Sequence, residues 1–192
     1  MRVVAGRARG RVLRAPAGTA TRPTSDRVRE AVFNILSSMD AISGAAVVDL
    51  FAGSGALGIE ALSRGSGSVT FVERERAATE AIAANLAVLG EEGRRGRVVR
   101  ADVVGWVRRL PPGTRVGVVF ADPPYAWERW GDLLVPLTSV AELVVAETGD
   151  ASPAVPGWET VTARRYGSTL VTLLRALPAQ AQVHQPGPLP AH

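Results

Sequence analysis

The sequence predicts an α/β fold: a doubly wound, mostly parallel seven-stranded sheet closed by an antiparallel hairpin and preceded by a basic β-hairpin. Three observations predict it. Apolar runs of strand length alternate with segments of helical periodicity from Ala45 to Glu147. A glycine turn, Gly53-Ser54-Gly55, follows the first of these strands, where an α/β unit turns from strand to helix. The last two strand segments are separated only by Tyr166-Gly167-Ser168, too little chain for a helical crossover, so they must run antiparallel.

Each element has its own signal. Residues 2 to 14 alternate around Gly6 and Gly10, which reads as two short strands joined by a Gly/Arg turn. Ser25 and Asp26 supply N-cap chemistry, and Val28, Ala31, Val32, Ile35, Leu36 and Met39 recur at helical spacing, predicting a helix from Asp26 to Met39. Strands follow at Val47–Phe51, Val69–Glu73, Arg97–Ala101, Val116–Ala121 and Leu143–Glu147. Helices are expected at Ala56–Ser63, Arg76–Leu89, around Trp106, and at Trp127–Leu137. The closing hairpin takes Glu159–Arg164 and Thr169–Leu174. The chain therefore divides into a basic arm (1–21), one α/β domain (22–176) and a Pro/Gln/Ala-rich tail (177–192) expected to be disordered.

Composition excludes several chemistries. The 192 residues suit one domain, and no apolar run approaches the roughly 20 residues of a membrane span. The opening Met1-Arg2-Val3-Val4-Ala5-Gly6-Arg7 lacks an apolar signal core, so a cytoplasmic protein is expected, acting as a monomer. Cysteine is absent, which removes disulfides, thiolate zinc sites and covalent thiol catalysis. Both histidines, His184 and His192, lie in the tail, so chemistry must run on carboxylates, hydroxyls, backbone groups and a borrowed cofactor, with no metal expected. Every basic residue is Arg, and eight of them fall in the first 30 residues against only Asp26 and Glu30. With a net charge of +4 overall, the body is left slightly acidic and the front strongly basic, the footprint of a protein that grips phosphates or, more plainly, of a solvated basic surface. Arg27 and Arg29 fall in a first helical turn, where the dipole disfavours cations by up to about 1 kcal/mol, and this hints that they hold an anion.

Gly53-Ser54-Gly55-Ala56-Leu57-Gly58 matches the dinucleotide pattern, with Glu73 about 20 residues on. Asp49 argues against a dinucleotide, because an acid beside the turn repels a pyrophosphate but takes up the ammonium of a bound amino acid. S-adenosylmethionine carries that ammonium and no phosphate. The reading assigns Asp49, Phe51, Ala52, Gly53 and Gly55 to the cofactor, Glu73 with Arg74 to its ribose, and Asp102 with Val103 to its adenine. The alternative is that each acid only caps the helix that follows it.

Asp122-Pro123-Pro124-Tyr125 closes the fourth strand of the alternation. A conjugated amine is a poor nucleophile because its lone pair is delocalised. Two acceptors on its N–H groups would pyramidalise the nitrogen and aim the lone pair at a methyl donor. Asp122 supplies one acceptor and a main-chain carbonyl, taken as that of Pro123, the second; Pro124 stiffens the turn, and Tyr125 stacks on the base.

The glycine loop, the tetrapeptide and the antiparallel ending resemble class I S-adenosylmethionine-dependent methyltransferases, a Rossmann-like group. Adding the Arg-rich opening and Arg22-Pro23-Thr24-Ser25-Asp26-Arg27-Val28-Arg29-Glu30-Ala31, residues 1 to 175 are similar to the ribosomal RNA small-subunit methyltransferase D family. The resemblance implies methylation of a guanine N2 amine in 16S rRNA, within the small ribosomal subunit or a late assembly intermediate. The RNA would meet Arg7, Arg9, Arg11, Arg22, Thr24, Arg27 and Arg29. An adenine-N6 or cytosine-N4 DNA methyltransferase shares the tetrapeptide, and a protein glutamine methyltransferase would carry Asn at position 122. A non-catalytic RNA-binding assembly factor would keep the basic front alone.

Overall fold

The computed structural model describes residues 1–16, 26–124 and 126–178. The expected tail from residue 179 onward lies outside them. The elements in chain order are α1 (Asp26–Ser38), β1 (Ala46–Leu50), α2 (Ala56–Ser63), β2 (Ser68–Glu73), α3 (Arg76–Ala87), β3 (Gly96–Arg100), α4 (Val103–Val107), β4 (Val116–Ala121), α5 (Trp130–Leu137), β5 (Ala141–Thr148), β6 (Trp158–Tyr166) and β7 (Thr169–Ala176). The seven strands form one sheet in the order β3-β2-β1-β4-β5-β7-β6. Pairs among the first five strands are parallel, and β7 runs antiparallel to both β5 and β6.

Strand alternation divides the core into two layers. Val47, Val118, Phe120, Leu143 and Val145 face α1, α2 and α3, where they meet Phe33, Leu36, Ile59, Leu62 and Ile82. Their neighbours Val48, Leu50, Val119, Ala121 and Val144 face α4 and α5 and meet Val103, Val107, Leu133, Leu134 and Leu137. Burial on both faces explains why these strands read as unbroken apolar runs. Register fixes the site: Asp49 lies level with Phe71 of β2 and Phe120 of β4, so β1, β2 and β4 end along one edge.

Departures from the sequence reading have local causes. Helix α5 starts at Trp130, because the Trp127 N–H is drawn back to the Pro124 carbonyl and the Trp130 N–H to that of Glu128. Helix α3 stops at Ala87, and an unforeseen 3₁₀ turn, Glu92–Arg95, leads into β3. Strand β6 runs longer than expected and carries a register shift between Thr160 and Thr162. Tyr166 pairs with Thr169, so the hairpin loop is only Gly167-Ser168, with Gly167 at φ 61°.

The two strands expected in residues 2 to 14 reduce to one bridge, Arg2 with Val12, flanked by Val3 N–H to Arg11 carbonyl (3.0 Å) and Leu13 N–H to Met1 carbonyl (3.0 Å). Rather than standing off the body, this segment lies along α2. Val3, Ala8 and Leu13 are buried in the first core layer. Val4 and Ala5 N–H groups donate to the Glu60 carboxylate at 2.8 and 2.9 Å, and Arg7 N–H donates to the Ser63 carbonyl at 2.8 Å. A Cβ on Gly6 would lie 2.0 Å from the Ser63 carbonyl oxygen, so only glycine permits the approach.

Helix α2 itself packs against β2 through Gly58, where a Cβ would come 2.3 Å from the Phe71 ring and 2.8 Å from Val69. Gly58→Ala is expected to destabilise by about 1–3 kcal/mol through overpacking, against a propensity gain of up to about 1 kcal/mol. Gly131→Ala in α5, where a Cβ meets nothing within 4 Å, should show that gain alone. Urea unfolding of the two variants separates these effects, and equal stabilities would contradict the packing.

Candidate active site at the carboxyl edge of the sheet

Asp49, one residue before the end of β1, is buried and accepts the Gly58 N–H at 2.8 Å through Oδ2. Burial pushes its carboxyl up to about 8; the Gly58 amide opposes the shift, while the nearby Asp122 and Glu73 charges add to it. Glu73 ends β2 and is also buried. Its Oε2 accepts the Gly53 N–H at 2.9 Å, and its Oε1 accepts the Arg74 and Glu75 N–H groups at 2.7 and 2.9 Å. The two acids thus grip opposite ends of the glycine loop.

The loop needs that grip, because Phe51, Gly53 and Gly55 take φ of 56°, 54° and 77° in quick succession. Left-handed backbone at Phe51 is strained for a side chain with a Cβ. Gly55 donates its N–H to the Ala52 carbonyl at 2.7 Å and begins α2 without a side-chain cap. Asp102, by contrast, does cap a helix: its Oδ1 accepts the Gly105 N–H at 2.8 Å at the start of α4, while the side chain stays exposed and Val103 is buried. The capping alternative therefore holds for Asp102 and also for Asp49, whose partner Gly58 lies in the first turn of α2, whereas Glu73 takes amides of the glycine loop and of the connection before α3. The Arg74 side chain is exposed and pairs with Glu75.

Asp122 is half-buried and within electrostatic reach of Asp49, Pro123 is buried, and Pro124 is exposed with its carbonyl committed to the Trp127 N–H at 2.8 Å. Tyr125 lies outside the described residues. Sequence reasoning missed an aromatic group beside this turn. Trp127 stacks edge-on against Phe51 (5.2 Å, 70°) and against Trp130 (5.1 Å, 85°), joining the segment after the tetrapeptide to the glycine loop. Two tryptophans three residues apart directly after Asp-Pro-Pro-Tyr were the available signal.

The sequence pattern of the family described as conserved hypothetical protein 95 matches residues 1–175. The chain belongs to that family. It is 42% identical over 135 residues, 70% of this chain and 72% of the relative, to a Bacillus subtilis protein provisionally named an rRNA methyltransferase. It is also 42% identical over 125 residues to ribosomal RNA small subunit methyltransferase D of Escherichia coli, a stretch that spans 65% of this chain and only 60% of that relative. Among solved structures, an Escherichia coli protein provisionally named a methyltransferase superposes with a TM-score of 0.79 at 34% identity, covering 92% of this chain and 97% of the other.

The basic residues expected on RNA fare unequally in this family member. Arg7, Arg9 and Arg27 are exposed; Arg7 approaches Glu92 at 3.9 Å, and Arg11 donates to the Val88 carbonyl while remaining exposed. Arg22 and Thr24 lie outside the described residues. Arg29 does not face solvent: it is fully enclosed, donates to the Arg2 carbonyl and to Asp26 (2.9 Å), and sits 3.8 Å from Glu60. The anions that its position implied are the protein's own Asp26 and Glu60, the latter a buried carboxylate on α2 that also takes the Arg64 Nε at 2.8 Å. Among the described residues no cluster suited to a metal ion occurs, and no helix is long and apolar enough to cross a membrane.

Arg29→Ala is expected to cost roughly 3 kcal/mol or more, because it strips a buried carboxylate of a counter-charge. Arg7→Ala should leave unfolding nearly unchanged, since its ion pair is 3.9 Å long and its side chain 79% exposed. Thermal unfolding checks both, and a stable Arg29→Ala would remove the buried pair from the list of structural supports.

Proposed function

We propose that this chain transfers a methyl group from S-adenosylmethionine to the exocyclic N2 amine of a guanine in 16S rRNA. The observation that carries the reading is the meeting, at one sheet edge, of a half-buried Asp122 on a Pro-Pro turn with a carboxylate-braced glycine loop. The names of the Bacillus and Escherichia relatives support rRNA as the substrate, and the Escherichia name supports the small subunit as its setting.

The residues suit the cofactor. Asp49 is a buried acid whose charged neighbours among the described residues are the carboxylates Asp122 and Glu73, and an amino-acid ammonium would supply the opposite charge. Glu73 already orders the Gly53 amide, leaving a glycine turn whose backbone a ligand can approach closely, since a Cβ at Gly53 would meet only the Phe51 carbonyl oxygen, 3.9 Å away. Asp102 keeps an exposed carboxylate at the end of β3 for an adenine amine. When bound, S-adenosylmethionine supplies a methyl carbon made electrophilic by a sulfonium.

The chain's own part is to prepare the amine. The Asp122 carboxylate accepts one N–H of the base. Of the two proline carbonyls, that of Pro124 is committed to Trp127, so that of Pro123 takes the second N–H. Proline rings fix the backbone and hold both acceptors still, so little reorganisation accompanies transfer. The proton shed by the methylated nitrogen falls to Asp122. Tyr125 supplies the stacking face, and Arg7, Arg9, Arg11, Arg22, Thr24 and Arg27 hold phosphates. An assembled or nearly assembled small subunit presents the target, as the family resemblance implies.

Asp122→Ala is expected to lower turnover by at least about a hundredfold while S-adenosylmethionine affinity stays within severalfold. Labelled methyl transfer onto unmethylated small subunits, free rRNA and duplex DNA tests the substrate. Label in guanine N2 of 16S rRNA supports the reading, and label confined to DNA overturns it.

Cofactor affinity should also depend on pH. The Asp49 carboxyl is raised from 3.8 to about 8, so in the free protein its neutral form favours folding below pH 4 and that contribution is lost as pH rises to 8. Ammonium binding needs the ionised form. Affinity should therefore climb by up to about tenfold per pH unit between 6 and 7.5, with proton uptake by buffer, and Asp49→Asn should flatten the climb. Calorimetry in buffers of different ionisation heat measures the released proton; no release would contradict a protonated Asp49.

A further inference from the structure

An open cleft of roughly 570 Å³ lies at the amino ends of β1 and β2, at the opposite end of the strands from Asp49 and Glu73. Its walls carry Arg7 from the Gly6–Gly10 turn, Ser63 and Arg64 from the end of α2, Ser43 from the α1–β1 connection and Arg95 from the 3₁₀ turn before β3. Four separate stretches of chain thus bring three guanidinium groups to one opening.

Each of these arginines is anchored, directly or through its backbone. Arg64 spends its Nε on Glu60 at 2.8 Å and lies over the Phe33 ring at 4.9 Å. Arg95 donates to the Ser66 and Leu62 carbonyls at 2.6 and 3.3 Å. Arg7 is fixed through its backbone to Ser63, with its side chain 79% exposed. The nearby carboxylates are Glu60, which also answers the buried Arg29, and Glu92. Arg29 is also answered by Asp26, so the three guanidinium groups of the cleft face Glu60 and Glu92, and one positive charge is left in surplus. Arg9 and Arg97 are exposed as well, whereas Arg94 is paired with Glu91 at 2.8 Å. Guanidinium groups held at an open cleft suit the oxygens of an anion, and the RNA of the reading above presents phosphates at every nucleotide.

We propose that this cleft is a second RNA-contact surface, which holds the phosphodiester backbone of a segment remote from the modified base. It rests on the reading above that RNA is the substrate. Five residues of strand at about 3.3 Å each separate the cleft from the carboxyl edge by some 15 Å, so the phosphates held here belong to a different part of the fold of the RNA than the target nucleotide. The Gly6–Gly10 turn then serves as a distant anchor, and Arg64 and Arg95 join Arg7 as its contacts.

Ser43 allows a test that spares the scaffold, being exposed, with a hydroxyl that bonds no described residue. Ser43→Glu puts a negative charge into the cleft, and Ser43→Arg adds a positive one. Binding to protein-free 16S rRNA and to unmethylated small subunits is measured across salt concentrations, alongside unfolding temperature and S-adenosylmethionine affinity. The expected result is RNA affinity lowered about five- to tenfold by Ser43→Glu and raised by Ser43→Arg, with shallower and steeper salt dependence respectively and the other two readouts unchanged. Unaltered RNA affinity in both variants, in a protein that methylates rRNA, overturns the cleft alone. A native protein without affinity for RNA overturns the underlying reading and the cleft together.

Discussion

The fold of this molecule turns on the seat of α2 against β1 and β2. Gly58 lets the helix lie directly on Phe71, and the same residue's N–H reaches Asp49 at 2.8 Å. Only with α2 at that depth can the preceding loop close through three left-handed residues, and only then is Asp49 cut off from water. Burial of that carboxyl, the course of the glycine loop and the height of the helix are therefore a single arrangement. Changing one moves the others.

The same helix carries a second buried carboxylate halfway along its length. Glu60 receives two backbone N–H groups from the N-terminal segment and faces Arg29 and Arg64, so it joins α1, α2 and residues 1–16 at one point. Asn85 of α3 adds a further tie, accepting the Arg14 N–H and donating to the Arg14 and Ser54 carbonyls. Through Ser54 the basic segment is linked to the glycine loop. A polypeptide front that looks like a loose cationic appendage is in this way part of the layer that shapes the carboxyl edge of the sheet.

Charge is sorted along the strands. Asp49, Glu73, Asp102 and Asp122 gather where the parallel strands end, whereas Arg7, Arg64 and Arg95 gather where β1 and β2 begin. Parallel topology produces this separation, because every crossover helix returns the chain to the same starting edge. For the RNA proposed above the consequence is orientation: on that reading the carboxylate edge repels phosphate and the opposite edge attracts the backbone.

What the sequence by itself determined was whatever depends on local pattern. Apolar runs against helical periodicity were enough for the alternation of strands and helices, and with the short Tyr166-Gly167-Ser168 link they were enough for a parallel sheet with a reversed end. The order of strand ends along the chain placed Asp49, Glu73 and Asp122 at one edge before any contact was known. Partners were decided only by the tertiary structure, because a partner is a matter of distance across the fold. Arg29 looked like an RNA contact until α2 set Glu60 beside it in the interior. Asp102 turned out to cap α4, the basic front folded onto α2, and Trp127 met Phe51 from 76 residues away. No period or motif encodes those encounters; they follow from which faces the two layers bury together.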